Sequence, residues 1–123
     1  MVRISLVDDD DGVREATATL LRSLGYEVHS FASSRAFLDW SGLNDTSCLL
    51  ADVMMPEIDG FALQRLLVDM GCDFPIIFLT AITEQSARMR LIQNGAYSVL
   101  SKPCSQQNLV EWIESAIDVG RRI

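Results

Sequence analysis

The chain has 123 residues, 49% hydrophobic and 22% charged, which suits one compact domain with a single core and is too short for two. Its net charge of −7, with no basic stripe, excludes a free-standing nucleic-acid binder, because phosphate backbones need Lys and Arg. Such a balance suits a metal or a basic partner if the acids cluster. The cysteines, Cys48, Cys72 and Cys104, are odd in number and lack paired or metal-ligand spacing, so reduced thiols in a cytoplasmic protein are expected. The segment from Met1 to Asp8 has no long apolar region or cleavage site, and no apolar run approaches membrane-spanning length.

Apolar, β-branched Val2 to Val7 reads as a first strand. Val13, Ala16, Leu20 and Leu24 recur at helical spacing, and Gly25 closes that segment. Tyr26 to Phe31 alternates as a strand, and Ser33 or Ser34 offers an N-cap for a short helix to about Trp40. Cys48 to Ala51 is a buried-strand run. Phe61 to Met70 is helical and stops at Gly71. Pro75 to Leu79 is a strand, Thr83 offers a cap for a helix ending at Gly95, Ser98 to Leu100 is a short strand, and Ser105 caps a last helix to about Val119. Five strands alternating with five helices imply a parallel sheet with right-handed crossovers. The predicted fold is α/β, a doubly wound five-stranded parallel sheet of order 2-1-3-4-5, flavodoxin-like, in one domain spanning residues 1–123.

In such sheets ligands bind at the carboxyl ends of the strands. Strand one ends in Asp8-Asp9-Asp10-Asp11, strand three in Asp52, strand four in Thr80 and strand five in Lys102-Pro103. Strand two ends without chemistry at Phe31-Ala32-Ser33, outside the switch point. Neighbouring strands lie about 4.8 Å apart, so Asp52 falls close to the acids after strand one. Crowded carboxylates repel unless a cation joins them, and Mg²⁺ takes oxygen ligands. A long Lys102 side chain and a short Thr80 hydroxyl can reach the same point, which makes a pocket suited to a phosphoryl group. Taken singly, each residue has a plainer reading: Asp10 and Asp11 as helix N-terminal acids, Asp52 as a turn residue, Thr80 as a strand-end hydroxyl, Lys102 as a surface lysine.

At these residues the chain resembles a bacterial two-component response-regulator receiver domain. The matching pieces are Leu6-Val7-Asp8-Asp9, Asp52-Val53-Met54-Met55-Pro56 with Asp59-Gly60, Thr80-Ala81, Gly95-Ala96 and Lys102-Pro103, in the right order and spacing. Ser30-Phe31-Ala32-Ser33 followed by Phe37-Leu38 further resembles the nitrogen-fixation and nitrate regulator group. The resemblance implies that Asp52 is the phosphoacceptor. It implies that Asp9 binds Mg²⁺ directly, that Asp8 helps, and that Met54 contributes its backbone carbonyl. Thr80 and the Ala81 N–H would contact the phosphoryl oxygens, Lys102 would pair with them, and the Lys102–Pro103 bond would be cis. A sensor histidine kinase would be the phosphoryl donor. The chain would be a signalling switch and no enzyme beyond its own phosphorylation and dephosphorylation. Thr80 would move toward the phosphate and repack the face of helix four, strand five and helix five, a surface also suited to a homodimer. No direct nucleic-acid or membrane contact is expected of this domain. The output implied is transcription regulation, through a DNA-binding domain that these residues do not contain; the alternative is a stand-alone receiver or phosphorelay intermediate.

The chain also departs from the family pattern. Val99 stands where Tyr or Phe is usual as the partner of the switch threonine, so relay is expected to combine Thr80 with aliphatic repacking at Val99. Tyr97, the nearest aromatic, is read as turned away from that face. Cys104 stands where Phe commonly follows Lys-Pro. Met54 and Ile82, two residues after Asp52 and Thr80, are apolar and cannot orient a hydrolytic water, so slow self-dephosphorylation is expected. Elsewhere, His29 is read as structural and Trp112 as core or partner surface. Leu91, flanked on its helix by Arg88 and Arg90, is read as an exposed apolar residue on the output face, in a contact patch for a partner or second copy. A haloacid-dehalogenase-type phosphatase would share Asp8, Asp10, Thr80 and Lys102, but lacks a use for Asp52 and needs a longer chain. A Ca²⁺ loop aligned on Gly12 would start at Val7 and end at Ala18, where acids are required.

Overall fold

A computed structural model describes residues 2–121. The strands are β1 (Arg3–Val7), β2 (Glu27–Phe31), β3 (Cys48–Asp52), β4 (Ile76–Thr80) and β5 (Ser98–Ser101). The helices are α1 (Asp11–Ser23), α2 (Ser34–Leu38), α3 (Gly60–Asp69), α4 (Gln85–Gln93) and α5 (Gln106–Arg121). A single 3₁₀ turn, Leu43–Asp45, lies between α2 and β3 and was not anticipated. All strands are parallel and ordered β2-β1-β3-β4-β5, as the alternation predicts.

The sheet is covered on both faces, which is why β3 reads as an unbroken apolar run. Leu50 belongs to a cluster with Leu21 of α1 and Ile113 of α5, while its neighbours Leu49 and Ala51 join Leu63 of α3 and Leu91 of α4 on the opposite face. Every residue of β3 is buried. Full burial of one such leucine stabilises the fold by about 1.5–3 kcal/mol before entropy is counted.

Helix starts follow local chemistry. The carboxylate of Asp10 accepts from Val13 N at 3.0 Å, the hydroxyl of Ser33 from Ala36 N at 3.1 Å, and Ser105 Oγ from Asn108 N at 3.1 Å. Each satisfies a backbone donor that the first turn leaves without a partner. Gly25, at φ 94, adopts the left-handed conformation that ends α1. Thr83 does not cap α4: Glu84 holds the N-cap position, and no side chain caps there.

The buried face of α1 is not the apolar stripe seen in the sequence. Val13 and Leu24 are 41% and 48% exposed, whereas Ala18 and Leu21 are buried and Arg14 and Thr17 half-buried. The inward face is turned by about a quarter of a rotation, because two polar residues lie on it and mask the period.

Candidate functional site

The sheet register brings the strand ends together. Val7 of β1 pairs with Ala51 of β3, so Asp8 and Asp52, one residue further along each strand, emerge side by side. Asp8 N donates to Phe31 O at 3.1 Å, extending the β1–β2 ladder by one step and holding Asp8 at the rim. Asp8 is 3% exposed and Asp52 9%, whereas Asp9 is exposed. Backbone amides steady both buried carboxylates: Asp10 N donates to Asp8 Oδ1 at 2.9 Å, and Met54 N to Asp52 Oδ1 at 3.2 Å.

Lys102 closes the site. Its backbone N donates to Thr80 O at 2.9 Å, its peptide bond to Pro103 is cis, and its Nζ lies 3.1 Å from both Asp8 Oδ2 and Asp52 Oδ2. Burial acts to lower the lysine pKa, but the hydrogen bonds and negative charge of Asp8 and Asp52 outweigh it and raise the pKa above the ordinary lysine value. One ammonium thus bridges two carboxylates, and oxygens of Asp8, Asp9 and Asp52 all lie within 4.8 Å of one another. An all-carboxylate set of this size matches the oxygen preference of a hard divalent cation.

Thr80 is fully buried, and its Oγ1 accepts from Ile82 N at 3.0 Å. Ala81 beside it is exposed. The loop after β3 folds back tightly: Gly60 N donates to Val53 O at 2.8 Å, and a Cβ on Gly60 would come within 2.8 Å of Val53 Cα. Only glycine fits there without displacing backbone. Met54 on this loop is 62% exposed, and Glu57 has a φ of 65°.

Sequence reasoning missed the roles of two arginines. Arg14 Nη1 donates to Asp8 O at 2.8 Å while the other end of the guanidinium pairs with Asp11. The Asp11–Arg14 spacing of three along a helix was its visible signal. Arg88 donates to Val99 O and Ser101 Oγ, each at 2.8 Å, and to Ile82 O at 3.3 Å. Two of these acceptors are backbone carbonyls, which leave no mark in a sequence.

Other expectations divide. Val99 pairs with Phe78 and packs on the α3–α4 face of the sheet, whereas Tyr97 packs on the α5 side, with its ring edge-on to Trp112 at 6.0 Å. Leu91 is not an exposed output residue. It is buried, and its helical neighbours Met89 and Ile92 are each 42% exposed. Leu109, Ile113, Ala116 and Ile117 of α5 are core, and Trp112 lies partly exposed beside them. His29 stacks on Trp40 at 4.7 Å and approaches Glu27 at 3.3 Å, on edge strand β2.

The response regulator receiver domain family matches residues 4–114. The chain belongs to that family. This receiver domain is 38% identical to the response regulator protein TmoT of Ectopseudomonas mendocina, over 95% of the chain and 53% of TmoT. It is 32% identical to the transcriptional regulatory protein TdiR of Thauera aromatica, over 98% of the chain and 53% of TdiR. The solved structure of the response regulator StyR matches with a TM-score of 0.89 at 34% identity, over 98% of the chain and 61% of StyR. The chain spans about half the length of the curated relatives it matches. Among the described residues, no helix is long and apolar enough to cross a membrane.

Proposed function

We propose that this receiver domain is a phosphorylation switch whose acceptor is Asp52. The observation that carries the reading is the convergence of Lys102 Nζ, at 3.1 Å, and the carboxylates of Asp8 and Asp9 on a nearly buried Asp52 at the end of the central strand. A carboxylate placed so is nucleophilic toward phosphorus only if the charge arriving with the phosphoryl group is neutralised.

Asp8, Asp9 and Asp52, with the Met54 carbonyl, would hold Mg²⁺, which when bound supplies that neutralisation. Asp52 attacks the phosphorus of a phosphohistidine on a sensor histidine kinase. The P–N bond breaks as the P–O bond forms, and the imidazole leaves with its electron pair. Lys102 then turns its ammonium from the carboxylates to the phosphoryl oxygens, and the Thr80 hydroxyl and Ala81 N–H donate to the same oxygens. The added charge biases two conformations of the α4–β5–α5 face, where Met89, Ile92 and Trp112 line a groove with Val99. That groove is the surface proposed for a second copy. The output proposed is transcription regulation, by analogy with TdiR.

Incubation with acetyl phosphate and Mg²⁺, read by intact mass, tests the reading. One phosphoryl adduct is expected on the wild type and none on Asp52→Ala. An equal adduct on Asp52→Ala defeats the proposal.

A further inference from the structure

Helix α4 has little apolar anchorage. Leu91 is its one buried residue. Polar ties hold the rest: Gln64 Nε2 of α3 donates to Leu91 O at 2.8 Å, and Arg88 reaches across to β5. β5 is an edge strand, and the Arg88 guanidinium is seated on it through Val99 O and Ser101 Oγ.

The same guanidinium also connects to the site. Ile82 presents its carbonyl to Arg88 at 3.3 Å and its N–H to Thr80 Oγ1 at 3.0 Å. An unbroken chain of hydrogen bonds therefore runs from the Thr80 hydroxyl through the Ile82 peptide groups to Arg88, and from Arg88 to Val99 and Ser101. Its longest link is the one from Arg88 to Ile82.

We propose that Arg88 is the residue that couples the state of Thr80 to β5 and α4. The proposal rests on the phosphoacceptor reading of Asp52. In the free form the Thr80 hydroxyl oxygen accepts from Ile82 N–H. When Thr80 moves to donate its proton to a phosphoryl oxygen, that hydroxyl oxygen leaves Ile82 N–H, and the 81–84 loop turns. The Ile82 carbonyl leaves the guanidinium with it. Arg88 then gives up its fork on Val99 O and Ser101 Oγ, and α4, pinned by a single leucine, repacks. This relay passes through the main chain of Val99, so it works with no aromatic side chain at that position. A lysine has no planar fork with which to span the three acceptors.

Backbone amide NMR of the full chain, free and with beryllium fluoride plus Mg²⁺, tests the coupling. In the wild type, fluoride addition shifts Thr80, Ala81 and Ile82, and also residues 88–101. In Arg88→Ala the shifts at Thr80 and Ala81 persist, while those at 98–101 fall to less than about half. Without fluoride, the α4 amides of Arg88→Ala exchange roughly tenfold faster, as loss of a charged hydrogen-bond donor implies. Arg88→Lys behaves like Arg88→Ala at residues 98–101. Undiminished shifts at 98–101 in both variants overturn the proposal. The wild type gives a reading independent of the variants: the Arg88 Nη–H protons, protected in the free form, exchange readily after fluoride addition, and unchanged protection also overturns it. Loss of the response at Thr80 and Ala81 in the wild type strikes instead at the phosphoacceptor reading, and removes the relay with it.

Discussion

Lys102 Nζ sits 3.1 Å from Asp52 Oδ2 across 50 residues of sequence, and at the same distance from Asp8 Oδ2. The ammonium therefore bridges the two buried carboxylates. Replacing it by Met leaves them facing each other without a cation. Lys102→Met is expected to lower stability by about 1–3 kcal/mol in urea unfolding near neutral pH, the scale for stranding a charged partner. The deficit should shrink when Mg²⁺ is added. An equal deficit with and without Mg²⁺ would contradict the bridging role. In the wild type the folded-state pKa of Lys102 is raised, so its contribution is complete below the ordinary lysine value of 10.5 and fades only as pH rises beyond it.

Met54 is largely exposed beside Asp52 and carries no group that can orient water. Met54→Asn is expected to speed loss of the phosphoryl group by roughly tenfold, equivalent to about 1.4 kcal/mol of barrier. The decay of the phosphorylated mass peak after donor removal measures it. Equal half-lives would show that hydrolysis is governed elsewhere.

Leu91 and Ile92 are adjacent in sequence and opposite in burial. Leu91→Ala should cost about 2–5 kcal/mol, whereas Ile92→Ala should stay within about 0.5 kcal/mol. Chemical denaturation of both variants settles the phase of α4, and similar losses for the two would reject it.

Glu57 holds a φ of 65°, where a side chain is strained. Glu57→Gly is expected to stabilise the fold by about 0.5 kcal/mol, net of the greater freedom of glycine when unfolded. Glu57→Val should destabilise it by at least about 1 kcal/mol, since β-branched residues tolerate this region worst. The order Gly, Glu, Val in thermal midpoint is the outcome to check.

Cys48 is fully buried, and burial pushes its thiol pKa up to about 12. Cys72 and Cys104 are only half-buried. A thiol reagent at mildly alkaline pH should label Cys72 and Cys104 and reach Cys48 only on unfolding. Labelling of Cys48 at native rates would mean that the sheet opens there.

Much of this molecule was legible in its sequence, for a physical reason. Strand β3 reads as apolar on both faces because helices cover both, and five alternating segments then leave the order β2-β1-β3-β4-β5 as the natural closure. Asp8, Asp52, Thr80 and Lys102 declare themselves because each ends a strand or follows one at the same sheet edge. Tertiary structure decided what composition and period leave open. A helical period reveals that a helix is amphipathic, but Arg14 and Thr17 on the inner side of α1 hide which way it faces. Leu91 was misplaced for a related reason, since α4 has too few apolar residues to set its phase. Arg88 was read only as a flank of the Leu91 patch, and its ties to β5 could not be read. Its acceptors at Ile82 and Val99 are carbonyls that every residue carries, and only the fold brings them within reach of one guanidinium.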